Sequence, residues 1–244
     1  MWDIMPERAS TFAHEVDSVI ELITYIVGAW AIVAYLIFFA FMVMFRKKEG
    51  KRSQFITGAT GKQMAWVLVP LILVVACDLG IDLYNHGFWK KIRIDMPEVE
   101  ETVHVQARQW AWVFTYAGPD GQFNTGDEII TYNTMHVKEN VKYKFVLSSN
   151  DVLHSFSIPV FRLKQDAVPG RLYQGWFEAN KKGTYDIQCA EICGVGHTVM
   201  AARVIVHSAS DYENALQAAA KNMPVEEANS FRTELAAAFN TKEN

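Results

Sequence analysis

The chain has 244 residues, half of them hydrophobic, and a formal net charge of −4. That charge leaves no electrostatic footprint for nucleic acid, three cysteines are too few for a disulfide scaffold, and no C-x-x-C-H sequence is present to attach a c-type haem. Leu22 to Phe45 excludes an ordinary soluble protein: its 24 residues include no Asp, Glu, Lys, Arg or His, enough at about 1.5 Å per residue to cross a hydrocarbon core of about 30 Å.

This first run follows 21 residues that carry Asp3, Glu7, Glu15, Asp17 and Glu21, and it is too long for a signal-peptide core, so it reads as a retained helix. A second span begins at Gln63, stays uncharged to Cys77 and continues past Asp78 and Asp82 to Phe88. The two aspartates share a helix face, as expected near the interface or against a partner helix rather than in a proton or ion path. Pro70 predicts a kink in this span. Trp30, Tyr35, Trp66 and Tyr84 suit a larger membrane partner as well as lipid. Between the spans, Arg46, Lys47, Lys48, Lys51, Arg52 and Lys62 are opposed only by Glu49. The positive-inside rule puts this loop, 46–62, in the cytoplasm and both chain ends outside, with Lys90, Lys91 and Arg93 opposing that bias in part.

From about Glu98 the pattern changes to short alternating segments bounded by turn residues, the signature of a β-domain. Thr102–Arg108, Trp110–Tyr116, Val141–Ser148, Arg171–Phe177, Gly183–Gln188 and Val199–His207 read as strands, with Gly118-Pro119-Asp120-Gly121 as a turn. About seven short strands suggest a sandwich or barrel. From Asp211 the composition becomes Ala-rich and helical, with Pro224 separating Asp211–Lys221 from Val225–Asn240. The expected organisation is membrane-anchored α+β: 1–97 with two transmembrane helices, 98–208 as the β-domain, and 209–244 as a helical extension. Residues 98–244 hold 18 acids and 13 bases while 1–97 hold 9 and 10, so the acidic excess lies outside the membrane.

Residues 188–200 read Q-C-A-E-I-C-G-V-G-H-T-V-M. Cys189, Cys193, His197 and Met200 bring two thiolates, an imidazole and a thioether to one loop, and soft donors with imidazole favour copper over hard cations. Zinc would more often show a second C-x-x-C or His pair. A Cys189–Cys193 disulfide is the competing possibility in an oxidising compartment. Against it, Gly194 and Gly196 permit a tight reversal with positive φ that turns His197 and Met200 back toward the sulfurs. His154, in D-V-L-H-S-F, is the further imidazole such a site needs. His14, His86, His104, His136 and His207 have no comparable context.

The loop C-A-E-I-C-G-V-G-H-T-V-M, the segment D-V-L-H-S-F-S-I-P and the stretch Q-W-A-W-V-F-T-Y resemble subunit II of the haem–copper cytochrome c oxidases, which carries the binuclear copper A centre. The resemblance covers nearly the whole chain and implies a cupredoxin-type β-domain. It implies that Cys189 and Cys193 bridge two coppers, that His154 and His197 each complete one, and that Met200 and the Glu191 carbonyl are weak ligands. The Glu191 side chain would bind a magnesium ion shared with subunit I. Trp110 matches the aromatic that accepts electrons from the donor, and alternation puts it on the same strand face as Trp112. Lys164 to Arg171 matches the family's K-x-D-A-x-P-G-R stretch, making Asp166 and Arg171 contacts to subunit I.

The function so implied is that of the electron-accepting subunit of a respiratory terminal oxidase in a bacterial plasma membrane or mitochondrial inner membrane. Electrons from cytochrome c or another redox protein pass to subunit I, which holds the haems and copper B, reduces oxygen to water and translocates protons; subunit III and membrane lipid are further partners. The chain departs from the family pattern in places. Gln63 stands where the family often has a glutamate at the mouth of a proton pathway. Ala111 replaces an aromatic and Phe156 a tryptophan, changes that leave the ligands intact and bear on the docking surface. No C-terminal haem domain is expected, so the donor is a separate protein. A membrane-tethered copper carrier is the alternative from another class, distinguished by one exchangeable copper instead of two. The intact ligand set disfavours a quinol-oxidase-type subunit without copper, and the chain has no room for the propeller of a nitrous-oxide reductase.

Overall fold

The structure is a computed structural model that describes residues 5–52, 55–221, 226 and 229–233. It divides into two units, residues 15–91 and a second unit formed by 1–14 with 92–244.

The first unit contains most of helix α1, Ala13–Met44, and of helix α2, Gly61–Arg93. Both extend beyond the uncharged runs because charged residues suit their ends. Glu15 lies in the first turn of α1, and Lys90, Lys91 and Arg93 close α2, each sign complementing the helix dipole there. At 32 and 33 residues each helix is about 50 Å long, well over the membrane core. No residue of the most apolar window of either helix is buried, which is unlike the core helix of a soluble protein. Helix α2 runs unbroken through Pro70. Lys91 Nζ lies 3.1 Å from Glu15 Oε1, so the start of α1 and the end of α2 lie together.

The second unit is a sandwich of two five-stranded sheets. One has the order β3 (Ile129–Tyr132), β2 (Ala111–Tyr116), β1 (Glu101–Arg108), β5 (Lys142–Ser149), β8 (Tyr173–Glu178). The other has β4 (Thr134–Lys138), β10 (Ala201–His207), β9 (Gly183–Cys189), β6 (His154–Ile158), β7 (Leu163–Ala167). All neighbours are antiparallel except β1 with β5 and β10 with β4. Strands β3, β4, β6 and β7, of four or five residues each, are not marked by the sequence alternation.

Aromatic side chains join the two inner faces. Phe156 of β6 meets Trp112 at 5.2 Å, Phe145 at 6.2 Å and Phe114 at 6.3 Å between ring centroids, and all four are fully buried. Burying each such ring stabilises the fold by roughly 2–3 kcal/mol. This packing fixes β6 against β2 and β5, and so fixes the height of His154 at the start of β6.

The chain before α1 is tied to this unit by backbone hydrogen bonds. The Ala9 N–H donates to the Val160 carbonyl, Thr11 N–H to Glu178, and Asn180 N–H to Ala9, while Arg162 donates to the Pro6 and Glu7 carbonyls. After β10, helix α3, Ala209–Lys221, buries Tyr212 and Leu216, one turn apart on its inner face. Of the second expected C-terminal helix, residues 226 and 229–233 are described and helical, with Phe231 buried against Val113 and Ile130; the rest lies outside the described residues.

Candidate metal centre

Three segments converge at one edge of the sandwich. Antiparallel pairing of β6 with β9 sets Phe156 opposite Cys189, so His154 and Cys189 end up side by side. The loop from Cys189 to β10 returns to its own start, because the Cys189 N–H donates to the Met200 carbonyl and the Ala190 N–H to Ser155.

All six expected donors come together there. The two sulfurs are 3.7 Å apart, far beyond the roughly 2.0 Å of a disulfide, and both cysteines are free. His154 Nδ1 faces Cys189 Sγ at 3.9 Å, and His197 Nδ1 faces Cys193 Sγ at 3.6 Å. Met200 Sδ is 3.7 Å from Cys193 Sγ, and the Glu191 carbonyl is 3.3 Å from Cys189 Sγ. His154, Cys189 and Cys193 place their ligand atoms within 4.8 Å of one another, and His197 falls outside that group. One imidazole therefore flanks each sulfur, a layout that suits two ions sharing a sulfur pair better than one tetrahedral ion. A donor set of two sulfurs, two imidazole nitrogens, a thioether and a carbonyl fits copper.

The electrostatics agree with this layout. Burial works to raise the Cys189 thiol, but hydrogen bonding to His154 and to nearby backbone groups outweighs it and holds the thiol well below its ordinary range. Burial and the neighbouring Cys189 push Cys193 up. The two thiols are thus driven in opposite directions, and a bound cation would favour deprotonation of both. Burial also works to lower His154, yet hydrogen bonds and charge from Cys189 and Asp151 more than offset it, and its pKa is raised. His154 Nε2 donates to Asp151 Oδ1 at 2.8 Å, which aims Nδ1 at the Cys189 sulfur, where a bound metal would take the place of a proton.

Trp110 does not share a strand face with Trp112 as alternation suggests. Strand β1 ends at Arg108 and β2 begins at Ala111, so Trp110 sits in the turn between them, 37% exposed, while Trp112 is fully buried in the core. The Trp110 indole Nε1 donates to the Cys193 carbonyl at 3.2 Å, and Gln109 Nε2 donates to the same oxygen at 2.7 Å. The loop glycines serve two purposes. Gly194 has φ +114°, as a tight reversal needs, but Gly196 has φ −88° and is small for another reason: a Cβ there would lie 2.3 Å from Trp110 Cδ2. The indole therefore packs directly against the cysteine loop.

Residues 101–208 match the family described as cytochrome c oxidase subunit II, periplasmic domain. The alternative cytochrome c oxidase subunit 2 of Bradyrhizobium diazoefficiens is 31% identical over 221 residues, covering 81% of this chain and 77% of that protein. The chain belongs to the cytochrome c oxidase subunit II family. The probable cytochrome c oxidase subunit 2 of Rickettsia prowazekii is 30% identical over 166 residues, and the match spans 62% of this chain and 51% of that protein. Among solved structures, the periplasmic domain of subunit II of cytochrome oxidase from Bradyrhizobium japonicum aligns with 52% of this chain and 99% of its own, at 29% identity and a TM-score of 0.46. The segment matching the family runs from β1 to just past β10 and contains every donor described above.

Within this family frame the two substituted positions are not surface features. Ala111 is 2% exposed and Phe156 fully buried, so neither side chain lies on the surface. Asp166 and Arg171 are exposed, on β7 and in the turn after it. Sequence reading missed Asp151 and Gln109, whose hydrogen bonds reach 42 and 84 residues along the chain. The signals available were the acid three residues before His154 and the glutamine beside Trp110.

Proposed function

We propose that the chain is the electron-accepting subunit of a haem–copper terminal oxidase, holding a binuclear copper A centre with Cys189, Cys193, His154, His197, Met200 and the Glu191 carbonyl. The observation that carries this reading is the pair of free sulfurs 3.7 Å apart with one imidazole on each. A copper pair bound there supplies a one-electron carrier whose charge is spread over both nuclei by the shared sulfurs.

The protein's own residues prepare that carrier. Cys189 ends β9 and Cys193 lies four residues on, in a loop held at its start by backbone bonds to Ser155 and Met200 and at Cys193 by the Gln109 and Trp110 side chains. Asp151 keeps the His154 proton on Nε2. Trp110 presents a partly exposed ring on the outer side and an indole N–H bonded to the backbone of a ligand cysteine, a short covalent and hydrogen-bonded route from surface to site. An outer donor, cytochrome c or another redox protein, would deliver electrons at Trp110, and subunit I, with its haems and copper B, would receive them. Asp166 and Arg171 would contact subunit I. The Glu191 side chain, half-buried and outside the described sulfur–imidazole group, would give one carboxylate to a magnesium ion whose other ligands come from subunit I.

The helices would anchor the domain in the membrane with loop 46–62 in the cytoplasm. Support for both chain ends lying outside comes from the Glu15–Lys91 pair and from the bonds that tie residues 6–11 to the β-domain.

Metal analysis and electron paramagnetic resonance of the chain in detergent test the reading. Two coppers per chain with a resonance shared equally between nuclei are expected, and Cys193→Ser should abolish that resonance. One exchangeable copper per chain, or a resonance that survives Cys193→Ser, would replace this reading with a copper carrier or a different site.

A further inference from the structure

Asp151 is bonded on two sides. Its Oδ1 accepts from His154 Nε2 at 2.8 Å and from the Val152 N–H at 2.6 Å, and its Oδ2 accepts from the Gln109 N–H at 2.6 Å. Gln109 precedes Trp110, and both side chains of that pair donate to the Cys193 carbonyl. The turn that carries the exposed indole is therefore bolted to the cysteine loop by two side-chain bonds and to the histidine segment by one carboxylate.

We infer that Asp151 is a positioning residue for electron uptake, locking the Trp110 turn and the His154 ring to one rigid frame. The inference rests on the copper reading given above. Its chemical basis is that a carboxylate has two acceptor oxygens and no donor. One oxygen serves the histidine and the other serves the turn, so motion of either element breaks a charge-assisted bond. Electron transfer between an indole and a metal loop depends steeply on their separation and contact, and such bonds hold both constant.

The same chemistry separates the two roles by substitution. An asparagine has one acceptor oxygen. With His154 Nδ1 committed to metal, its Nε2 carries the proton, so the asparagine oxygen stays with His154 and Val152. The amide NH₂ then faces the Gln109 N–H, donor against donor. Asp151→Asn should release the turn and spare the histidine, whereas Asp151→Ala should release both.

The test uses the full chain in detergent, with whatever subunits copurify. Amide hydrogen exchange at Gln109 should rise about tenfold or more, the scale of a lost hydrogen bond to a charged group, in Asp151→Ala with or without copper and in Asp151→Asn with copper bound. With copper, Asp151→Asn should keep the wild-type mixed-valence resonance and Asp151→Ala should alter it. Reduction by excess reduced cytochrome c should slow by about tenfold in both variants, at low salt and at roughly 0.5 M alike, where surface attraction is screened. Unchanged exchange at Gln109 in Asp151→Ala would overturn the inference. So would slowing that disappears at high salt, which would mark Asp151 as a docking charge. If the wild type itself shows no two-copper resonance, the copper reading fails, and the exchange measurement still decides whether Asp151 holds the turn.

Discussion

His154 and His136 lie on the same five-stranded sheet, on β6 and β4, and are 0% and 5% exposed. Burial disfavours the charged form of both. At His154 the two ring nitrogens are separately partnered, one by the Asp151 carboxylate and one facing the Cys189 sulfur, and these partners raise the pKa despite burial. At His136 burial dominates and the adjacent His207 adds to it, bringing the pKa down to about 4. Its Nδ1 meets His207 Nε2 at 2.9 Å, with the rings stacked 6° from parallel, and its Nε2 has no hydrogen-bond partner among the described residues. Burial alone thus does not make a ligand. What separates the two is a fixed acceptor behind one nitrogen and sulfur before the other.

The sharpest way to break this comparison is to remove each ring in turn. His154→Ala should eliminate the mixed-valence resonance and leave less than two coppers per chain. His136→Ala should keep both coppers and the resonance, although each truncation leaves a cavity costing roughly 2–4 kcal/mol in a thermal melt. Loss of copper in His136→Ala would show that the β4–β10 face is part of the site.

The contrast was half legible in the sequence. His154 stands out because C-A-E-I-C-G-V-G-H-T-V-M demands another imidazole, and a ligand loop is local in sequence. The two apolar runs are legible for a similar reason, since spanning hydrocarbon sets a length and a composition. Other features depend on neighbours distant in the chain. Strand β7, Leu163-Lys164-Gln165-Asp166-Ala167, has an exposed polar middle and exists because β6 pairs with it. Trp110 looks like a strand residue until β1 is seen to end at Arg108. The anchoring of Ala9 and Thr11 runs through backbone groups, which leave no mark on side-chain pattern. Asp151 looked like a loop acid because its partner Gln109 lies 42 residues away.

The next largest effect concerns acid stability. His136 and His104 both have folded pKa values of about 4, the first lowered by burial and His207, the second by burial and Lys144, against 6.5 when unfolded. Between pH 6.5 and about 4 the unfolded chain therefore binds more protons than the folded one, so stability rises with pH across that window. It is fully present above 6.5 and lost as pH falls toward 4, by at most ~3 kcal/mol per histidine, less where solvent screens His136. Denaturant melts of the metal-free chain at pH 7, 5.5 and 4.5 should show the slope, and His136→Gln should flatten part of it. A slope unchanged by His136→Gln would mean that His136 is not buried neutral.

The smallest effect isolates the cause. His207 is the lesser of the two influences on His136, so His207→Gln should raise the His136 titration midpoint while leaving it below 6.5, because burial remains. Nuclear magnetic resonance of the imidazole nitrogens, followed from pH 7 to pH 3.5, reads that midpoint directly. A return to 6.5 would assign the whole shift to the neighbouring ring. Partners would then explain both histidines, and burial, the factor they share, would be idle at each. A midpoint that stays low keeps the asymmetry as described: at His136 burial prevails over a weak neighbour, and at His154 a carboxylate and a thiolate prevail over burial.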